Sequence, residues 1–165
     1  MTSRTTAALV AVAVIAGATV AGVGLATRSS GKPARVLQID EQRGRVGQVV
    51  LGETAADVVS VLGRPRSRSN TPAGDSLLYR HLTVGIRGGR VASIRTDDPA
   101  AVTLQAVRIG NPLSAARASY RKAATCNPNS PDKSAAHPYC RVRVAGGQLL
   151  ITGDPIGSIT LIRSR

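Results

Sequence analysis

Two arginines one residue apart, Arg141 and Arg143, alternate with Val142 and Val144. That alternation predicts a strand whose valines face a core while both guanidinium groups project from the opposite face. Paired guanidinium groups bind carboxylates and phosphates, so the chemistry on offer is anion capture. Arg163 on a predicted last strand, and Arg87 and Arg90 beside the Gly88-Gly89 turn, extend this patch if their strands neighbour it. A second basic cluster, Arg64-Pro65-Arg66-Ser67-Arg68, lies in a polar stretch read as a loop. An ordinary solvated sheet face would carry the same charges with no ligand.

Catalytic arrangements are thinner. Gly74-Asp75-Ser76-Leu77 matches, letter for letter, the nucleophile block of GDSL-type lipases and esterases. A nucleophile of that kind follows an apolar strand, whereas Ser69 to Ala73 is polar, and the partner acid and base would have to be Asp132 and His137. Asp97-Asp98 pairs two acids, but neighbours on an extended chain point apart, and no further acids join them as a calcium site would need. His81 falls in a predicted strand as a surface or partly buried residue. Neither Gly88-Gly89 nor Gly146-Gly147 precedes a helix, which a phosphate loop requires.

The compartment follows from the N-terminus. A basic start at Met1 to Arg4 leads into an uncharged run of 20 residues, Ala7 to Ala26, built largely of Ala, Val, Gly and Thr. It reads as an export signal or a membrane anchor, with Gly24-Leu25-Ala26 offering a cleavage site before Thr27. Export makes a disulfide between Cys126 and Cys140 the expected outcome. Two Cys and two His are also a zinc inventory, but Cys126, Cys140, His81 and His137 lack the close ligand pairs of zinc sites, so no metal or cofactor is expected. The net charge of +13 comes from 19 Arg and 3 Lys against 9 acids, a balance that favours anionic partners and is also what a GC-rich genome writes. Export and the absence of Phe and Trp for base stacking count against nucleic acid.

These residues need a scaffold, and the chain suggests one. Displaced by 58 residues, Val49, Leu51, Gly52, Val84 and Gly88-Gly89 fall on Val107, Ile109, Gly110, Val142 and Gly146-Gly147. Each copy would run from a Leu-Gly or Ile-Gly start through a short helix to antiparallel strands. In the first copy Thr54 and Asp57 form a capping box, Val58, Val61 and Leu62 share a helical face, and Gly63 and Pro65 end the helix. Leu77 to Ile86 and Arg90 to Thr96 are then predicted strands. In the second, Asn111-Pro112 opens a helix reaching about Ala124, followed by strands at Tyr139 to Val144, Leu149 to Thr152 and Ser158 to Arg163.

The expectation is therefore an α+β fold of two tandem units, each a short helical segment followed by an antiparallel β-sheet, after an N-terminal apolar helix. Its boundaries are 1–26 for the signal or anchor, 27–45 for a linker, 46–106 for the first unit and 107–165 for the second. The unit written Val50-Leu51-Gly52-Glu53-Thr54, Asp57 to Pro65, Tyr79 and Gly88-Gly89-Arg90-Val91 resembles the envelope-protein superfamily of BamE-type outer-membrane lipoproteins and the beta-lactamase inhibitor protein. The second copy departs from it, with Tyr120-Arg121-Lys122-Ala123 in place of the Leu-Gly-x-Pro helix end, and no lipobox Cys is present. The resemblance implies a non-catalytic binding or scaffolding role for an exported protein, whose partner would be an envelope protein or an anionic envelope polymer. The N-terminal helix would add membrane attachment if uncleaved. The alternatives are a small secreted serine hydrolase using Ser76 and a wall-associated spacer.

Overall fold

In a computed structural model of the protein, residues 36–72, 74–127 and 138–164 are described. The apolar run 1–26, the start of the linker, Asp132 and His137 lie outside them. Among the described residues no helix is long and apolar enough to cross a membrane.

The chain opens with β1 (Leu37–Asp40), β2 (Arg45–Val46) and β3 (Val49–Val50), then α1 (Ala55–Leu62). Four strands follow: β4 (Ser67–Thr71), β5 (Gly74–Leu78), β6 (Leu82–Arg87) and β7 (Arg90–Thr96). After β8 (Ala101–Thr103) and α2 (Leu113–Tyr120) comes a single 3-10 turn, then β9 (Ala124–Asn127), β10 (Tyr139–Val144), β11 (Gly147–Thr152) and β12 (Ser158–Arg163).

Local chemistry accounts for the helix ends. The Thr54 hydroxyl accepts from the Asp57 amide at 3.2 Å and the Asp57 carboxylate accepts from the Thr54 amide at 3.0 Å, closing the capping box of α1. α2 starts differently. Asn111 Oδ1 accepts from the Arg108 amide, and the free Leu113 amide donates instead to Asp154 Oδ1 at 3.0 Å, from the turn between β11 and β12.

The strands form two sheets. The smaller has the order β3-β2-β1-β8, with β8 parallel to β1. The larger has the order β4-β5-β6-β7-β12-β11-β10-β9 and is antiparallel throughout. Its inner face carries a continuous row, Leu77, Val84, Ile94, Leu161, Leu149 and Val142, none more than 4% exposed. Ile39, Val46 and Val49 of the small sheet, Val58 of α1, and Leu113 and Ala116 of α2 join the same hydrophobic cluster. Burying this cluster is the main apolar driving force in a chain with no Phe or Trp.

This corrects the expected architecture. The described chain is mostly β, with two helices of eight residues, and the strands do not divide into two helix-plus-sheet units, because β7 and β12 pair edge to edge and make one sheet. The 58-residue displacement carries the hairpin β6–β7 onto β10–β11, and the two hairpins have opposite hands. β7 and β11 are both antiparallel to β12, so they run the same way. Yet β6 and β10 lie on opposite sides of their partners, while Val84 and Val142 face one core. No rotation superimposes such hairpins.

Their turns differ as well. Gly88 and Gly89, with φ of 58° and 74°, form the whole loop between Arg87 and Arg90. In the other hairpin the loop is Ala145-Gly146, and Gly147 already pairs with Val144. Gly52 and Gly110 share a left-handed bend, φ 91° and 86°, but the Gly52 amide donates to Val91 and the Gly110 amide to Ile156.

Candidate functional site

β10 follows the sequence pattern: Cys140 and Val142 are buried while Arg141 and Arg143 are exposed. The ladder shows what accompanies them on the outer face. One row reads Ser67, Leu78, Thr83, Arg95, Thr160, Leu150, Arg141, Thr125 from β4 to β9, and the next reads Ser69, Ser76, Gly85, Ser93, Ile162, Gln148, Arg143 from β4 to β10. Neither row contains an acid. Arg95, Arg141 and Arg143 are their only charges, and none of the three makes an ion pair among the described residues. Thr125, Tyr139, Arg141, Arg143 and Gln148 line a shallow hollow of about 180 Å³. The Arg141 guanidinium carbon stands 5.9 Å from the Tyr139 ring centroid, close enough for the ring to restrict the guanidinium.

The other predicted arginines go elsewhere. Arg163 shares the parity of Ile159 and Leu161, so it leaves the sheet on the core side and its guanidinium lies against Gly52. Arg90 reaches the same bend, donating to the Gly52 carbonyl at 2.9 Å. Two strand pairings, β12 to β11 and β11 to β10, also separate Arg163 from β10. It therefore does not extend the Arg141 and Arg143 pair. Arg64, Arg66 and Arg68 sit at the far edge, where the expected polar loop is in part the strand β4; all three are exposed around a buried Pro65.

Strand alternation alone hides Arg95 on the core side, and a β-bulge brings it out. Counting by twos from the buried Val91 puts Arg95 on the core face. The register shifts opposite Gly85 and Ile86, so Ile94 faces the core and Arg95 turns outward. A Cβ at Gly85 would press on the Ser93 hydroxyl, a contact that rotation of that side chain can relieve.

Ser76 lies on the outer face of β5, in a larger groove of about 920 Å³ whose lining includes Asp75, Ser93, Ile162, Arg87 and Arg90. No described histidine lines that groove. His81 stands in the turn that splits the expected Leu77 to Ile86 strand, and its Nδ1 is 3.0 Å from Asp97 Oδ1. Asp98 is occupied locally, its carboxylate accepting from the Ala100 amide. Cys126 and Cys140 are opposite one another on β9 and β10 and form a disulfide, so neither thiol is free to hold a metal. No group of three or more His, Cys, Asp or Glu among the described residues is arranged to bind one.

No family model matches the chain. No curated protein matches it either. Among solved structures it is similar to an extracellular protein containing an SCP domain from Bacillus anthracis str. Ames, with a TM-score of 0.53 and 11% identity. The likeness covers 69% of this chain and 44% of that one, so this chain spans less than half the length of its structural neighbour. At that identity the two share a fold over the matched region.

Proposed function

We propose that this protein is an exported, non-catalytic binding module of the cell envelope, which holds a protein or anionic envelope component on the outer face of its large sheet. The observation that carries this reading is the pair of outer-face rows without an acid, with Arg141 and Arg143 side by side on β10 and Arg95 in line with Arg141. Unpaired guanidinium groups on a rigid sheet meet an anion with little reorganisation. The disulfide belongs in an oxidising compartment, and an extracellular structural neighbour accords with that. Attachment to the membrane would come from the N-terminal apolar run if it is retained. Binding of this kind needs no cofactor and no nucleic acid.

The test is capture of the full protein on immobilised polyglutamate and on polyphosphate at increasing salt. Arg141→Ala with Arg143→Ala should weaken capture roughly tenfold at low salt and flatten its salt dependence. Capture unchanged by the double substitution would sink the outer-face reading. Labelling by a fluorophosphonate that disappears in Ser76→Ala would overturn the non-catalytic one.

A further inference from the structure

The large sheet ends in a strand whose outer edge is free among the described residues. β4 pairs with β5 residue by residue from Ser67↔Leu78 to Thr71↔Gly74, without a bulge, and has no second neighbour. All five of its residues are exposed. In an antiparallel ladder alternate backbone groups point away from the partner, so β4 offers a row of N–H and C=O groups to an added strand. Pro65 and Pro72 bracket the strand and leave its interior free of proline.

Charge identifies what would add there. Arg64, Arg66 and Arg68 recur at every second position, are exposed, and make no ion pair among the described residues. They line a hollow of about 380 Å³ with Pro65 and Ser67. Asp75, opposite Asn70, is the one acid in this hairpin. A second copy docked over residues 64–71 would bring its own Arg64, Arg66 and Arg68 to this edge, and like charges across a ladder destabilise it. A strand with carboxylates at alternate positions would satisfy the open backbone groups and the guanidinium groups together. We propose that β4 is a docking edge for an extended acidic segment of a partner protein, which joins the sheet as an additional strand beside the Arg64 to Arg68 cluster.

The probe is a ten-residue peptide of alternating Glu and Thr, offered to the full chain. Two counterparts carry the same side chains, one N-methylated at its Glu amides and the other at its Thr amides. The parent peptide should bind and slow amide hydrogen exchange within residues 67–71. One N-methylated counterpart should bind more than tenfold more weakly. Arg64→Glu, Arg66→Glu and Arg68→Glu together should abolish the peptide's protection of residues 67–71 and admit a Lys-Thr peptide there instead. Arg141→Ala with Arg143→Ala removes the outer-face anion site, so slowed exchange within residues 67–71 that persists in that variant separates this edge from the outer face. Equal binding of all three Glu-Thr peptides, or protection on β10 instead of β4, would overturn the proposal. Self-association through β4 that the peptide does not compete would overturn it in favour of a second copy.

Discussion

Glu41 is only 4% exposed, and its two oxygens are both engaged: Oε2 accepts from the Leu104 amide at 3.1 Å and Oε1 from the Tyr120 hydroxyl at 2.8 Å. This joins three segments far apart in the sequence. Burial pushes the Tyr120 hydroxyl above its ordinary value of 10.0; a hydrogen bond with Thr103 opposes that rise and the adjacent Glu41 adds to it. The unfolded chain gives up this proton near pH 10 while the folded chain retains it. Stability contributed by Tyr120 is therefore complete below about pH 10 and is lost as the pH climbs beyond it. Tyr120→Phe should cost about 1–3 kcal/mol at neutral pH by leaving a buried oxygen without its donor. It should also remove part of the alkaline loss, and urea unfolding at pH 8 and pH 11 measures both effects. Nothing local announces this contact. The capping box and the Arg141 to Val144 alternation are legible because each is complete within four residues, whereas the Glu41 to Tyr120 bond and the Asp154 cap of α2 depend on where the chain returns.

Strands show the same limit at the next scale. β10 and β12 are evident from Val, Leu and Ile at alternate positions. β4, with the sequence Ser-Arg-Ser-Asn-Thr, has no apolar residue to alternate and is a strand because β5 lies beside it. The matched Gly-Gly pairs mislead for a related reason, since identical letters serve different constraints. Gly88 and Gly89 supply a left-handed turn. Gly147, φ 156°, is in a ladder where a Cβ would lie 1.9 Å from the Ile162 carbonyl oxygen, and Gly146 meets nothing closer than 4.0 Å. Gly147→Ala should destabilise by about 1–3 kcal/mol or more through that backbone clash. Gly146→Ala should leave the melting temperature within a few degrees. Equal effects at the two positions in thermal melts would refute this distinction.

For the molecule as a whole, the sequence conveys the core better than its assembly. Val84, Val142, Leu149 and Leu161 are recognisable core residues, but the pairing of β7 with β12 joins segments more than 60 residues apart and cannot be read from either alone. At the other end, the Cys126–Cys140 disulfide staples the terminal strand β9 to β10 across a sequence separation of 14. Replacing both cysteines with Ala should lower unfolding free energy by about 3 kcal/mol, read from urea unfolding of the two proteins side by side. A variant of unchanged stability would mean the staple constrains little that the ladder does not already hold.

The position of β12 has a consequence for biogenesis. It lies at the middle of the large sheet, between β7 and β11, yet it is synthesised after both. Until it arrives, each half displays an open apolar strand edge, and the contacts that close the seam are long-range and slow to form. During synthesis the chain thus passes through a stage in which both of those edges are uncovered. A chain interrupted before Ser158 would lose the seam as well as a strand, leaving two adhesive half-sheets open to each other or to a neighbouring chain.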